Sequence, residues 1–431
     1  MKKVLIITYY WPPAGGPGVQ RWLKFARYLP ENGFEPIIYT PSNPQYPIVD
    51  EALVQQVPPG ISIVRRPIFE PGALTGIFGQ RQLGRISSGI IPPAKKQTSL
   101  QKLALWVRGN LFIPDARKFW VRPSVKFLNE YLRKHKIDTV ITTGPPHSLH
   151  LIGLELKAKN PGLHWVADFR DPWTTIGYQS QLKLTRRSAA RHAYLEKTVL
   201  AAADDIVVTS PSTAAEFKSK TSRPVHVVTN GFDVAPVTDA PPAARFAVSH
   251  IGSLLSQRNP AALWDALAQL TRELDGFSRD FTLHLVGAVS PEVTQSIKQA
   301  GLGEFLDAPG YVSHQQAVNY QRDSAVLLLI EIDSPETKSI IPGKLFEYMA
   351  SGRPVLALGP DDADFSHIIR DTQTGIFARY GETDKIKAYL EQCYLRWKQG
   401  QLKVSAEGIQ QYSRQNLTRQ LAQILGHGNR R

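Results

Sequence analysis

A chain of 431 residues exceeds what one hydrophobic core can hold and points to about two domains. Its 42% hydrophobic and 20% charged content, single cysteine (Cys393) and lack of any apolar run near ~20 residues exclude a disulfide framework and a membrane span. The net charge of +14 is uneven: residues 1–200 hold 28 Lys and Arg against 12 Asp and Glu, the remainder 23 against 25, so an acidic partner is expected at the N-terminal half.

MKKVLIITYY opens like a secretory leader, but the apolar run is short and ends in aromatics and prolines with no small-residue cleavage site. It therefore reads as a first strand, Val4 to Tyr10, and the expected location is the cytoplasm or the inner face of a membrane. WPPAGGPGVQRW follows, then a helix with Val19, Leu23, Phe25, Ala26 and Leu29 on its apolar positions. Glycines 15, 16 and 18 let a backbone pass close to a ligand, although a tight strand-to-helix turn needs glycine without one. The third glycine of a GxGxxG is missing, which disfavours a dinucleotide oxidoreductase. Glu35 to Thr40 is the second strand.

Residues 66–126 interrupt this rhythm with a basic, Gly- and Pro-rich insertion. In Ser99 to Phe112, Leu100, Leu103, Ala104, Val107 and Leu111 form an apolar stripe, and PDARKFWVRPS then sets Phe119 and Trp120 among Arg117, Lys118 and Arg122. Such a segment suits an anionic membrane surface or an acidic acceptor, with Arg117, Trp120 and Arg170 on the acceptor side; packing on its own domain is the plain alternative. Nucleic acid is not an expected partner.

Strand Thr139 to Thr142 runs into Gly144-Pro145-Pro146 and a helix beginning near His147 and Ser148. A histidine at a helix mouth stays neutral and can meet a sugar hydroxyl, or it simply caps and packs. HWVADFRDPW places Asp168, Arg170 and Asp171 at a strand's carboxyl end, where a structural Asp–Arg pair competes with a catalytic role. Asp205 to Ser210 and His226 to Asp233 are further strands, and VAPVTDAPPAA is a linker. The second half repeats the pattern: strand 248–251, a loop with Ser253 and Arg258, strands 281–290 and 325–330, and a strand end at Tyr311-Val312. IIPGKLFEYMASGRPVLALGP then predicts a helix with Pro342 in its first turn, Leu345, Phe346 and Met349 inward, and Gly352 closing it. Glu347 on that helix suits a pair of sugar hydroxyls, or is a solvated helix residue. Asp362-x-Asp364 follows a strand at a Gly-Pro turn and is not expected to hold a metal.

KLFEYMASGRPVLA resembles the end of the C-terminal signature of the retaining family-4 (group 1) glycosyltransferases, and the Gly-Gly loop and the NGFD turn at Asn230 resemble theirs too. The resemblance implies an α/β, GT-B architecture: two Rossmann-like domains facing across a cleft, residues 1–233 on the acceptor side and 245–405 binding a nucleotide sugar. Residues 406–431 would form a helix crossing back to the first domain. Glu347 matches the second Glu of the family's Glu-x7-Glu pair, while the first falls on Ser339, and Ser339, Lys344 and the backbone amides of Ile340 to Gly343 are the candidates to hold the donor's sugar hydroxyls. By the same resemblance Gly15 and Gly16 face the donor, Arg258 replaces the later diphosphate cation, Val312 lies against the base, and Gly343 and Lys344 serve the phosphates. His147, Asp168 and Asp171 lie on the loops that carry catalytic groups. The implied reaction is metal-independent, retaining glycosyl transfer to a glycan or lipid-linked acceptor, with no cofactor beyond the nucleotide sugar itself. An epimerase of the same fold, or a basic binding scaffold, are the alternatives.

Overall fold

A computed structural model describes residues 1–71, 99–233, 244–405 and 407–427. The linker expected at 234–244 lies outside the described residues apart from Ala244, as does the 72–98 portion of the basic insertion. The chain divides into two compact units, Met1–Thr229 with Arg414–Arg431, and Asn230–Ser413.

The first unit is built on a seven-stranded sheet, β1 (Lys2–Ile7), β2 (Phe34–Pro41), β3 (Ser62–Arg66), β4 (Thr139–Gly144), β5 (His164–Phe169), β6 (Asp205–Val208) and β7 (Val225–Val227), in the order β3-β2-β1-β4-β5-β6-β7. Every neighbouring pair is parallel. A parallel sheet needs cover on both faces, so its strands are apolar almost throughout. Leu5, Ile7, Val140, Ala167 and Val208 point into one cluster, and Val4, Ile6, Ile141, Val166 and Val207 into the other. Helix Arg414–His427 packs on helix Pro17–Tyr28 and adds Leu417, Leu421, Ile424 and Leu425 to the second cluster.

The second unit carries β8 (Phe246–Ile251), β9 (Phe281–Val286), β10 (Leu306–Gly310), β11 (Val326–Ile330), β12 (Val355–Gly359) and β13 (Gly375–Arg379), ordered β10-β9-β8-β11-β12-β13 and again all parallel. Both sheets reverse their winding once, between β1 and β4 and between β8 and β11. In open α/β sheets ligands collect at the carboxyl ends of the strands beside such a reversal. In this chain those ends are Ile7 with Gly144, and Ile251 with Ile330.

Several boundaries differ from expectation. The helix after β11 spans Lys344–Ala350, so Pro342 precedes it and only lends its carbonyl to the Leu345 amide at 3.0 Å. Gly352 does take the left-handed conformation, φ 69°, just past its end. The first strand ends at Ile7, with the Thr8 amide still donating to the Tyr39 carbonyl at 3.0 Å and Tyr9 and Tyr10 beyond it, and Tyr311-Val312 follows β10 rather than ending it.

Candidate functional site

In the second unit, β8 ends at Ile251 and the chain turns through Gly252, φ 127°. Arg258, on the same loop, donates from Nε and Nη2 to Glu331 Oε1 at 3.1 and 2.7 Å. Glu331 is only 3% exposed, follows β11 directly, and also accepts the Ile332 amide at 2.8 Å. A carboxylate so deep is tolerable only when paired. The pair thus bridges the two strands at the reversal. Lys344 opens the short helix beside it: its Nζ lies 3.3 Å from His250 Nε2 and 2.6 Å from where a Cβ on Gly252 would sit. Burial, with the positive charge of Arg258, lowers the Lys344 pKa to about 8. Gly287, φ 121°, backs the turn, since a Cβ there would meet the Gly252 carbonyl oxygen at 2.7 Å. Tyr348 ties the helix to β8 by accepting the Ile251 amide at 2.9 Å.

Glu347 is exposed and accepts Gln321 Nε2 at 3.4 Å. Ser339 and Gly343 are half-buried on the approach to this helix, and a Cβ built on Gly343 would meet, among the described residues, no atom within 4 Å beyond its chain neighbours. Val312 packs its side chain against the cluster containing Phe346, while neighbouring Tyr311 is 94% exposed. Asp362 is engaged by Lys338 at 2.6 Å and His367 at 2.7 Å.

In the first unit the structure divides the expected set. Asp168 is 1% exposed and its oxygens are spent: Arg21 Nη2 at 2.8 Å, Trp22 Nε1 at 3.0 Å and Thr143 Oγ1 at 2.8 Å all donate to it. The ion-pair partner of Asp168 is thus Arg21 and not the Arg170 weighed from sequence, and Asp168 fastens β4 and β5 to helix Pro17–Tyr28. Asp171 is half-buried, and burial raises its pKa against the opposing charge of Arg170. Arg170 donates to the Pro145 carbonyl and stands 5.7 Å from the Tyr10 ring centre.

His147 is buried and stacked on Trp173, ring centres 4.8 Å apart and planes 4° from parallel. Neither of its ring nitrogens has a hydrogen-bond partner among the described residues. Burial, then the neighbouring His150 and Arg170, push its pKa well below the usual histidine value, so it is neutral. His150 is lowered to about 3, again by burial first, and shares a 2.9 Å hydrogen bond between Nδ1 and Thr142 Oγ1. Asp115, which the sequence did not single out, holds the start of this helix by accepting the Ser148 amide at 2.9 Å and its hydroxyl at 2.7 Å.

The glycine loop is more committed than expected. Gly15 donates its amide to Ile48 O at 3.0 Å, and a Cβ there would lie 2.8 Å from Ile48 Cγ2, so its glycine character serves packing. Gly16, φ 103°, is open around its missing side chain. A Cβ on Gly18 would fall 1.5 Å from Arg170 Nη1, so any side chain there would displace that guanidinium.

Two residues expected on the acceptor side are engaged within their own unit. Trp120 is 1% exposed and lies flat on Tyr39 at 4.9 Å, in the core. Arg117 is paired with Glu70 at 3.2 Å over the face of Tyr9 at 4.6 Å. Leu103 and Leu111 of the expected apolar stripe do not face the packing side of helix Ser99–Leu111. Leu105 and Gly109 dock on Leu182 and Leu184, which leaves Leu103, Trp106 and Leu111 exposed. Phe69 and Phe119, in edge contact at 5.7 Å, are exposed as well, and Lys118 Nζ lies 5.3 Å from the Phe119 ring centre. Among the described residues no helix is long and apolar enough to cross a membrane.

Residues 245–395 match the family model described as Glycosyl transferases group 1, and residues 92–236 that described as Glycosyltransferase Family 4. No curated protein sequence matches. Among solved structures, the chain is similar to sucrose-phosphate synthase from Thermosynechococcus elongatus, 16% identical with TM-score 0.63 over 99% of both chains. It is also similar to Anabaena HepE, solved with UDP and glucose: 15% identical, TM-score 0.60, over 99% of this chain and 100% of that one.

Proposed function

Since the chain belongs to the group 1 glycosyltransferases and has the GT-B fold, we infer that it moves a hexosyl group, with retention and without a metal, from a nucleotide sugar to an acceptor hydroxyl. The observation that carries the donor assignment is the placement of Arg258 and Lys344 together at the strand reversal of the second sheet, with Glu347 one helical turn away. As the glycosidic bond breaks, negative charge grows on the departing diphosphate. Two fixed cations in a partly water-excluded setting stabilise it most at that moment. The planar fork of Arg258 suits two phosphate oxygens, and Lys344 acts as a point charge. Glu347 is exposed and suited to two ribose hydroxyls. That a neighbour was solved with UDP-glucose supports this donor class.

On the first unit, neutral His147 offers an unspent ring nitrogen to a sugar hydroxyl, and the raised pKa of Asp171 makes its carboxylate a better proton acceptor for the incoming hydroxyl. The leaving phosphate assists that deprotonation. The acceptor is a glycan or lipid-linked sugar of a bacterial surface polysaccharide, met at the cytoplasmic face of the membrane. Exposed Leu103, Trp106, Leu111 and Phe119, with Lys102 and Lys118 close by in the chain, fit an anionic lipid surface.

The test is incubation with a panel of nucleotide sugars, following nucleotide release and thermal shift. Acceptor-dependent release from one donor is expected. Interconversion of the free donor without transfer would favour an epimerase, and no thermal shift with any nucleotide would end the donor assignment.

A further inference from the structure

His250 is a fully buried histidine on β8 with no part in the site as expected from sequence. Parallel pairing of β8 with β11, Val326 beside Val248 and Leu327 beside Ser249, brings the Leu328 carbonyl to its ring, 3.0 Å from Nδ1. A carbonyl only accepts, so Nδ1 carries the proton and the Nε2 lone pair is directed elsewhere. It faces Lys344 Nζ at 3.3 Å. Burial, then the charges of Lys344 and Arg258, hold the imidazole neutral against the backbone hydrogen bonds of Leu328 and Ser253, which act the other way, and so preserve that lone pair. On its far side Lys344 meets Gly252, where there is no side chain to hold it. The other charged groups facing it are Arg258 and Glu331 from the neighbouring loops and Glu347 from its own helix.

We propose that His250 is a positioning residue for Lys344: its Nε2 accepts one ammonium N–H and so fixes where the remaining two point. The inference rests on the donor assignment above for its role in turnover, though not for the contact itself. A lysine stem is flexible, and an ammonium fixed before the ligand arrives loses less freedom on binding a diphosphate.

His250→Asn keeps a donor for the Leu328 carbonyl but withdraws the acceptor from Lys344; His250→Gln extends an acceptor back toward it. Full-length protein labelled with 13C at lysine Cε, with Lys344 assigned through Lys344→Arg, reports the Lys344 titration without any ligand. In His250→Asn the Lys344 midpoint is expected to fall, because the charged form has lost a hydrogen bond, and UDP or GDP affinity to drop about tenfold. His250→Gln should restore both, a recovery that a purely structural role would not give. An unchanged Lys344 midpoint in a folded His250→Asn overturns the proposal whatever the nucleotides do. Failure of the wild-type protein to bind either nucleotide, with the midpoint shifted as expected, sinks the donor assignment and leaves the contact standing.

Discussion

Arg258 is held by Glu331 at 2.7 Å, so the cation assigned to the donor diphosphate is already paired in the free protein. The carboxylate is buried and the guanidinium partly exposed, 3% against 28%. Any diphosphate must therefore share Arg258 with Glu331, and Glu331 fixes the guanidinium before the ligand comes.

That pairing makes Arg258→Ala a double lesion. It removes a donor contact and strands a buried carboxylate, so unfolding free energy should fall by about 3–5 kcal/mol. Adding Glu331→Gln should recover much of that stability but not turnover, which stays down at least roughly tenfold. Thermal melts and donor kinetics on both variants check it; wild-type kcat/KM in the double variant would remove Arg258 from the donor site.

Asp168 and Asp171 should separate cleanly. Asp168→Ala leaves Arg21 buried without its ion-pair partner, with only the Thr229 carbonyl among the described residues still accepting from it, at an expected cost of about 3–5 kcal/mol read by denaturant unfolding. Asp171→Asn should unfold near the wild-type midpoint yet turn over at least about a hundredfold more slowly, the scale of lost general base catalysis. Equal activity of Asp171→Asn and wild type would leave acceptor deprotonation to the phosphate.

His147→Phe keeps both the bulk and the stacking on Trp173. Stability should hold, since no side-chain hydrogen bond to a described residue is lost, while kcat falls about tenfold or more through the missing contact to a sugar hydroxyl. A fully active His147→Phe would mark the residue as packing alone.

The pH dependence of donor binding should follow Lys344. Its folded pKa, about 8, lies below the ordinary lysine value, so the ammonium is lost as pH rises through that point. A diphosphate prefers the charged form, and affinity should weaken up to about tenfold per pH unit above it. The same sign makes folding stability rise with pH between about 8 and 10.5, where the unfolded chain holds the extra proton. Isothermal titration with UDP or GDP from pH 7 to 9.5 checks the binding limb, and Lys344→Arg should flatten it.

Much of the architecture was legible because its strands are buried on both faces and read as continuous apolar runs; β11 and β12 are the plainest cases. The edge strands β3 and β13 escaped, for edges carry arginines and alternate weakly. Lys344, Glu347 and Arg258 entered as donor-site candidates through the family resemblance of their local motifs. Glu331 was not, since it lies 73 residues from Arg258 and nothing short in sequence joins them. Trp120 and Phe119 show the same limit at the shortest range. Adjacent in a basic aromatic run, they part in space, one into the core against Tyr39 and one onto the surface. Only the facing β2 strand settles which goes in.

The nested glycines beneath Lys344 have an engineering consequence. Residue 287 abuts the backbone of 252, and 252 abuts the ammonium, so a single methyl at 287 would shift the turn that the lysine rests on. The placement of the Lys344 ammonium is thereby exposed to a substitution one layer beneath the turn it rests on. A mutant library confined to residues that touch the nucleotide would overlook it.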